Sequence, residues 1–71
     1  MQCYELELML DYIDWVVESS DPRYQYERSD LISQSILEKT RASSMEELMN
    51  LEQATIRQIA QPYVEVLTKV A

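Results

Sequence analysis

The chain contains no glycine, and this absence limits its possible folds more than any other feature. Glycine supplies most backbone positions with a positive φ, which hairpin turns and other tight loops require. Asparagine is the usual substitute, and Asn50 is the only one present. Glycine-rich phosphate loops and nucleophile elbows are not expected, for the same reason. The sequence therefore predicts an all-α fold.

The length of 71 residues predicts a single domain, residues 1–71. A chain of this size buries only about 60% of the surface that its unfolded form exposes, so its stability is marginal. Disulfides, metals and association are the usual remedies. Cys3 is the only cysteine and histidine is absent, so an internal disulfide and the common zinc sites are excluded. We expect no metal or cofactor, and we expect self-association or a partner protein.

The rest of the chain is organised around a predicted helix at residues 4–20, which has three faces at 3.6 residues per turn. The core-facing seam has the spacing i, i+3, i+4, i+7 and consists of Leu6, Met9, Leu10, Ile13, Val16 and Val17. The aromatic ridge consists of Tyr4, Leu8, Tyr12 and Trp15. The acidic stripe consists of Glu7, Asp11, Asp14 and Glu18. One apolar stripe suffices for a surface helix, so the second predicts a further contact.

The aromatic ridge adjoins the acidic stripe, and this arrangement resembles the apolar centre and polar rim of a binding surface. Tryptophan and tyrosine are enriched among the residues that dominate binding energy. We therefore predict that Leu8, Tyr12 and Trp15, together with the acidic stripe, bind a partner protein. The alternative is that Trp15 is simply the largest side chain of the core.

Asp21-Pro22 ends the first helix, because the residue before proline is disfavoured in the α region. Two interpretations of the next segment compete. One helix could run from Pro22 to about Ala42, or residues 23–29 could form an ordered link before a helix at about 30–42. We favour the link, with Tyr24 and Tyr26 either packed over the first helix or at a surface.

A third helix is predicted at residues 44–70. Ser44 and Glu47 have the spacing of a capping box. An apolar face continues in phase through Met45, Leu48, Met49, Ile56, Ile59, Ala60, Tyr63, Val66, Leu67 and Val70. Pro62 predicts either a kink or a break there, so the bundle has three helices, or four. Glu52 lies within the apolar face. Its carboxylate either points outward or sets the register at an oligomer interface.

The net charge of −7 is concentrated in the first part of the chain. Residues 1–30 contain eight acids and two arginines, a net charge of −6, whereas residues 31–71 carry −1. This balance opposes nonspecific binding to nucleic acid and to anionic lipid, so we expect neither as a direct partner. It either favours a partner with a basic surface or serves only to keep the chain soluble.

The N-terminal segment MQCYELEL lacks the basic region and apolar core of a signal peptide. No apolar run approaches the roughly 20 residues that span a bilayer. A cytoplasmic location with a reduced cysteine is therefore expected.

These features favour a noncatalytic interaction protein, a small helical bundle that forms a homodimer or other homo-oligomer and regulates a partner protein. The alternative is an acidic inhibitor, of the immunity or nucleic-acid-mimic type, that occludes a basic surface. An enzyme is not expected, because histidine, glycine loops and clusters of metal ligands are missing.

Overall fold

Residues 3–24 and 30–70, which the computed structural model describes, form four α-helices and no strand. The helices are α1 (Cys3–Ser20), α2 (Asp30–Thr40), α3 (Met45–Met49) and α4 (Gln53–Val70). Helix α1 packs against the other three, and α2 also packs against α4. The predicted all-α class is confirmed. The described residues contain four helices, which is the second of the two predicted numbers, three or four.

The core-facing seam of α1 is confirmed. Its central side chains are fully or almost fully buried, namely Met9, Ile13, Val16 and Val17. Leu6 and Leu10 are partly buried and pack against this core. The helix ends at Ser20, directly before the predicted Asp21-Pro22 stop. Periodicity alone therefore identified the side of α1 that the other helices cover.

Tyr24 closes the turn after α1, where its backbone N–H donates to the carbonyl of Asp21 at 3.1 Å. The Arg23 guanidinium donates two hydrogen bonds, at 2.9 and 2.8 Å, to the Asp21 carboxylate. The side-chain hydrogen bond from Arg23 lowers the pKa of Asp21. Residues 25–29, including Tyr26, lie outside the described residues. The predicted second helix is found at Asp30–Thr40, two residues shorter than expected.

The end of α2 shows how the chain turns without glycine. Arg41, the next residue, has a φ of 62°, in the left-handed region that glycine occupies most easily. Its N–H still donates to the carbonyl of Glu38 at 3.2 Å. A residue with a β-carbon is strained by roughly 1–2 kcal/mol in this conformation. The packing of α2 on α1 and α4 must offset that strain.

Helix α3 begins at the predicted cap. The N–H of Glu47 donates to the Ser44 hydroxyl at 3.2 Å. The reciprocal half of the box is shifted by one residue, because the Glu47 carboxylate accepts from the N–H of Ser43 at 2.8 Å. This bond and one from the Ser43 hydroxyl lower the pKa of Glu47. Their stabilising effect is present above the ordinary glutamate pKa and is lost as the pH falls through the lowered value.

Of the two alternatives predicted at Pro62, a kink or a break, the break is wrong. Helix α4 continues through Pro62, and the chain instead breaks between Met49 and Gln53. Asn50 caps α3, and its N–H donates to the carbonyls of Glu46 and Glu47 at 3.1 and 3.2 Å. Asparagine disfavours helix interiors because its side chain competes for backbone hydrogen bonds. The break separates α3, which packs on α1, from α4, which packs on both α1 and α2.

The buried side chains differ in part from the predicted apolar face. Leu48, Ile56 and Ala60 are buried as expected, whereas Met49 and Val66 are each 59% exposed. Val64, which the predicted face omits, is 3% exposed and belongs to the core. Glu52 is exposed in the link between α3 and α4. Its carboxylate therefore lies outside the core of this chain, and the register-setting role at an oligomer interface stays a prediction.

Pro62 is tolerated inside α4 because of the side on which it lies. Proline removes the hydrogen bond to the carbonyl of the residue four positions earlier, here Gln58. Both residues are exposed, so water can satisfy that carbonyl. The apolar side of α4 therefore remains continuous past the proline.

We expect Pro62→Ala to increase the free energy of unfolding by about 2 kcal/mol, because alanine restores the missing hydrogen bond and removes the clash of the ring. The exposed neighbour variant Gln58→Ala is the control and should change stability by less than about 0.5 kcal/mol. Urea denaturation followed by circular dichroism measures both. Equal stability of Pro62→Ala and the parent chain would contradict this explanation.

Candidate functional site

The aromatic ridge lies at the surface of α1, opposite the core-facing seam. The exposed fractions are 71% for Tyr4, 40% for Leu8 and 53% for Trp15. Tyr12 is partly buried and packs against the core, and its ring centroid lies 5.9 Å from that of Trp15 at an interplanar angle of 34°. Trp15 is therefore not a core residue, and the structure leaves a row of large apolar side chains accessible.

The aromatic ridge is held in place by the packing of α1 and by contacts along that helix. Helix α1 buries its opposite side against the three other helices, and Tyr12 anchors the ring of Trp15 by a tilted contact. The Ser19 hydroxyl donates to the carbonyl of Trp15 at 2.7 Å. The backbone of the ridge is thus fixed by regular secondary structure, which lowers the entropy lost when a surface binds.

The acidic stripe divides into two parts. Glu7 and Asp11 are exposed beside the ridge, whereas Asp14 and Glu18 are half-buried. Asp14 faces inward: its carboxylate accepts a hydrogen bond from the Tyr24 hydroxyl at 2.8 Å and another from the Ser33 hydroxyl. Of the four predicted acids, Glu7 and Asp11 are therefore the two that most directly offer charge to a partner.

Half-buried Asp14 and buried Tyr24 and Ser33 form a polar cluster that joins three parts of the chain. Tyr24 and Ser33 are 0% and 1% exposed, and their hydroxyl oxygens are 3.1 Å apart. Hydrogen bonds to a charged group are stronger than those between neutral groups. The cluster fixes the segment after α1 and the first turns of α2 against the side of α1 that carries the acidic stripe.

Glu5 bounds the aromatic ridge on its other side. At about 100° per residue, Glu5 and the acidic stripe lie on opposite flanks of the ridge. The Glu5 carboxylate accepts a hydrogen bond from the N–H of Met45 at 3.1 Å. A carboxylate is favourable at this position because the first N–H groups of a helix lack internal partners. Helix α3 is therefore attached beside the ridge.

Sequence reasoning missed the roles of Glu5, Tyr24 and Ser33. The cap signal at Ser44 indicates where α3 begins, but not which distant carboxylate completes it. Tyr24 was one of two tyrosines expected either over α1 or at a surface, and it is fully buried. A serine such as Ser33, inside a predicted amphipathic helix, gives no signal that it is buried until the partner of its hydroxyl is known.

Within the described residues, no group of three or more histidine, cysteine, aspartate or glutamate side chains could hold a metal ion. None of the described helices combines the length and the apolar character needed to cross a bilayer.

Comparisons with models of protein families, with curated proteins and with solved structures found no significant match. The functional argument therefore depends on the aromatic ridge and the carboxylates beside it, which present apolar side chains and negative charge to a partner.

We expect Tyr24→Phe and Ser33→Ala each to decrease the free energy of unfolding by about 1–2 kcal/mol, because each removes a hydrogen bond to the Asp14 carboxylate. In the double variant the two effects should not add, since the hydroxyls share one acceptor. Tyr63→Phe, at a half-buried tyrosine, is the matched control. A loss for Tyr24→Phe no larger than that of the control would refute the stabilising role of the cluster.

Proposed function

We propose that this chain is a noncatalytic protein-interaction module that binds and modulates a partner protein through the aromatic ridge of α1. The observation that carries the proposal is the exposure of Trp15, at 53%, in a row with Tyr4 and Leu8. Large aromatic side chains in small proteins are normally used to build the core. Here the core is completed without the tryptophan.

The free energy available from this surface sets how much of it a partner must cover. Covering the exposed half of a tryptophan removes about 100 Å² from water. At about 25 cal/mol per Å² this contributes roughly 2–3 kcal/mol. Association itself costs about 4–15 kcal/mol in lost translational and rotational freedom. Trp15 alone is therefore insufficient, and a stable complex requires Leu8 and Tyr4 as well.

The capture of partners by variant proteins tests this proposal. Lysate of the host organism is passed over the immobilised wild-type chain and over Leu8→Ala with Trp15→Ala. The control is Leu31→Ala, which shortens an apolar side chain that is 75% exposed on α2. We expect a protein that the wild type and the control retain and the ridge variant loses, by at least about tenfold, because truncation of central aromatic residues costs 2 kcal/mol or more.

A photo-crosslinking amino acid at position 8 or at position 31 gives an independent readout. Crosslinks to the captured protein should form from position 8 and not from position 31. Retention of the same proteins by the ridge variant, or crosslinks from both positions alike, would contradict a docking role for the ridge.

Self-association is the second part of the proposal, and it rests on apolar side chains outside the ridge. Met49 and Val66 are each 59% exposed. A chain this small gains stability by covering such side chains with a second copy. We expect light scattering at tens of micromolar protein to give a mass above the 8.4 kDa of one chain. A stable monomer at that concentration would exclude it.

A further inference from the structure

All charged residues of the helix that carries the aromatic ridge are acidic. Between Cys3 and Ser20 there are five carboxylates and no lysine or arginine. Glu7 and Asp11 are exposed on one flank of the ridge, and Glu5 lies on the other flank. A partner that binds the ridge must therefore place its apolar side chains next to negatively charged carboxylates.

A second copy of this chain does not satisfy that requirement. In an antiparallel pair related by a twofold axis, each flank of one helix meets the same flank of the other. Glu7 and Asp11 would then face Glu7 and Asp11. In a parallel pair, each flank of one helix meets the opposite flank of the other. Glu7 and Asp11 would then face the flank that carries Glu5. Both arrangements place like charges together across the interface, which opposes association.

The shape of the surface indicates what kind of element can lie on it. The ridge is a single row along one helix, and from Tyr4 to Trp15 it extends about 16 Å at 1.5 Å per residue. Rows of side chains on a helix pack into the grooves of another helix. The exposed acids Glu7 and Asp11 are four residues apart, one turn of the helix, so basic side chains one turn apart on a facing helix match their spacing.

We propose that the aromatic ridge binds an amphipathic α-helix of another protein whose apolar face is edged by lysine or arginine. The apolar face of that helix covers Leu8 and Trp15, and its basic edge faces Glu7 and Asp11. The inference rests on the proposed function, since it names the class of partner for the same surface. It adds that the partner is basic and helical and that it is not a second copy of the chain.

Trp15 provides the readout, because it is the only tryptophan of the chain and is half-exposed. The probes are three synthetic helical peptides of about 18 residues, or five turns, without tryptophan. They share one leucine face and differ only along its edge, which carries lysine, glutamine or glutamate. We expect the lysine peptide to shift Trp15 emission to shorter wavelength in a saturable titration, and the glutamate peptide to leave the emission unchanged.

Two variants with the same net charge locate the interaction. Glu7→Gln with Asp11→Asn removes the exposed charges beside the ridge, and Glu38→Gln with Glu65→Gln removes two exposed charges on α2 and α4. We expect the first variant to weaken binding of the lysine peptide about fivefold at about 50 mM salt, and the second less than about twofold. At about 300 mM salt the difference should shrink, because screening acts most on exposed charges.

Four results would overturn the proposal. They are equal binding of the glutamine or glutamate peptide, equal weakening by the two variants, binding without a change in Trp15 emission, and a shift of that emission with protein concentration alone. The last would place a second copy on the ridge. If Leu8→Ala with Trp15→Ala abolishes partner capture but one of these four results is found, the ridge remains a docking surface and only its basic helical partner is refuted.

Discussion

The arrangement of the helices depends on the hydrogen bonds that the Asp14 carboxylate accepts from Tyr24 and Ser33. Tyr24 and Ser33 are completely or almost completely buried, and a buried hydroxyl without a partner destabilises a fold by about 1–3 kcal/mol. A packing that keeps Asp14 within reach of both hydroxyls is therefore favoured. Together with burial of the core-facing seam, these hydrogen bonds favour the observed rotation of α1 about its axis, which leaves the aromatic ridge facing solvent.

Much of the fold follows from the sequence because it is set by local rules. The core-facing seam of α1, the stop at Asp21-Pro22 and the cap at Ser44 each depend on residues within a few positions of one another. The inward orientation of Asp14 could not be predicted in this way. On the helical wheel Asp14 lies on the same stripe as Glu7 and Asp11, and it is distinguished by the positions of Tyr24 and Ser33, ten and nineteen residues further on.

The errors in the third predicted helix have a related cause. A continuous helix from residue 44 to 70 keeps Met49 in phase with Ile56, whereas the break after Met49 resets that phase. Within α4 the buried side follows Ile56, Ala60 and Val64 at intervals of four residues, so Val66 lies outside it. No strong breaker marks the point after Met49, and Pro62, which does have that character, lies on the exposed side of α4, where its effect is mild. At the candidate site, periodicity located the aromatic ridge. Its exposure could not be predicted from periodicity, because it depended on whether the remaining chain could complete the core without Trp15.

The division of the acidic stripe has a consequence for how such a protein can change over generations. Glu7 and Asp11 are in contact with solvent, whereas Asp14 supports the packing of buried side chains. Substitutions at the first two positions can retune the electrostatic field without loss of folding, and substitutions at Asp14 cannot. Selection can therefore adjust recognition and conformational stability separately, although both are encoded within two turns of one helix.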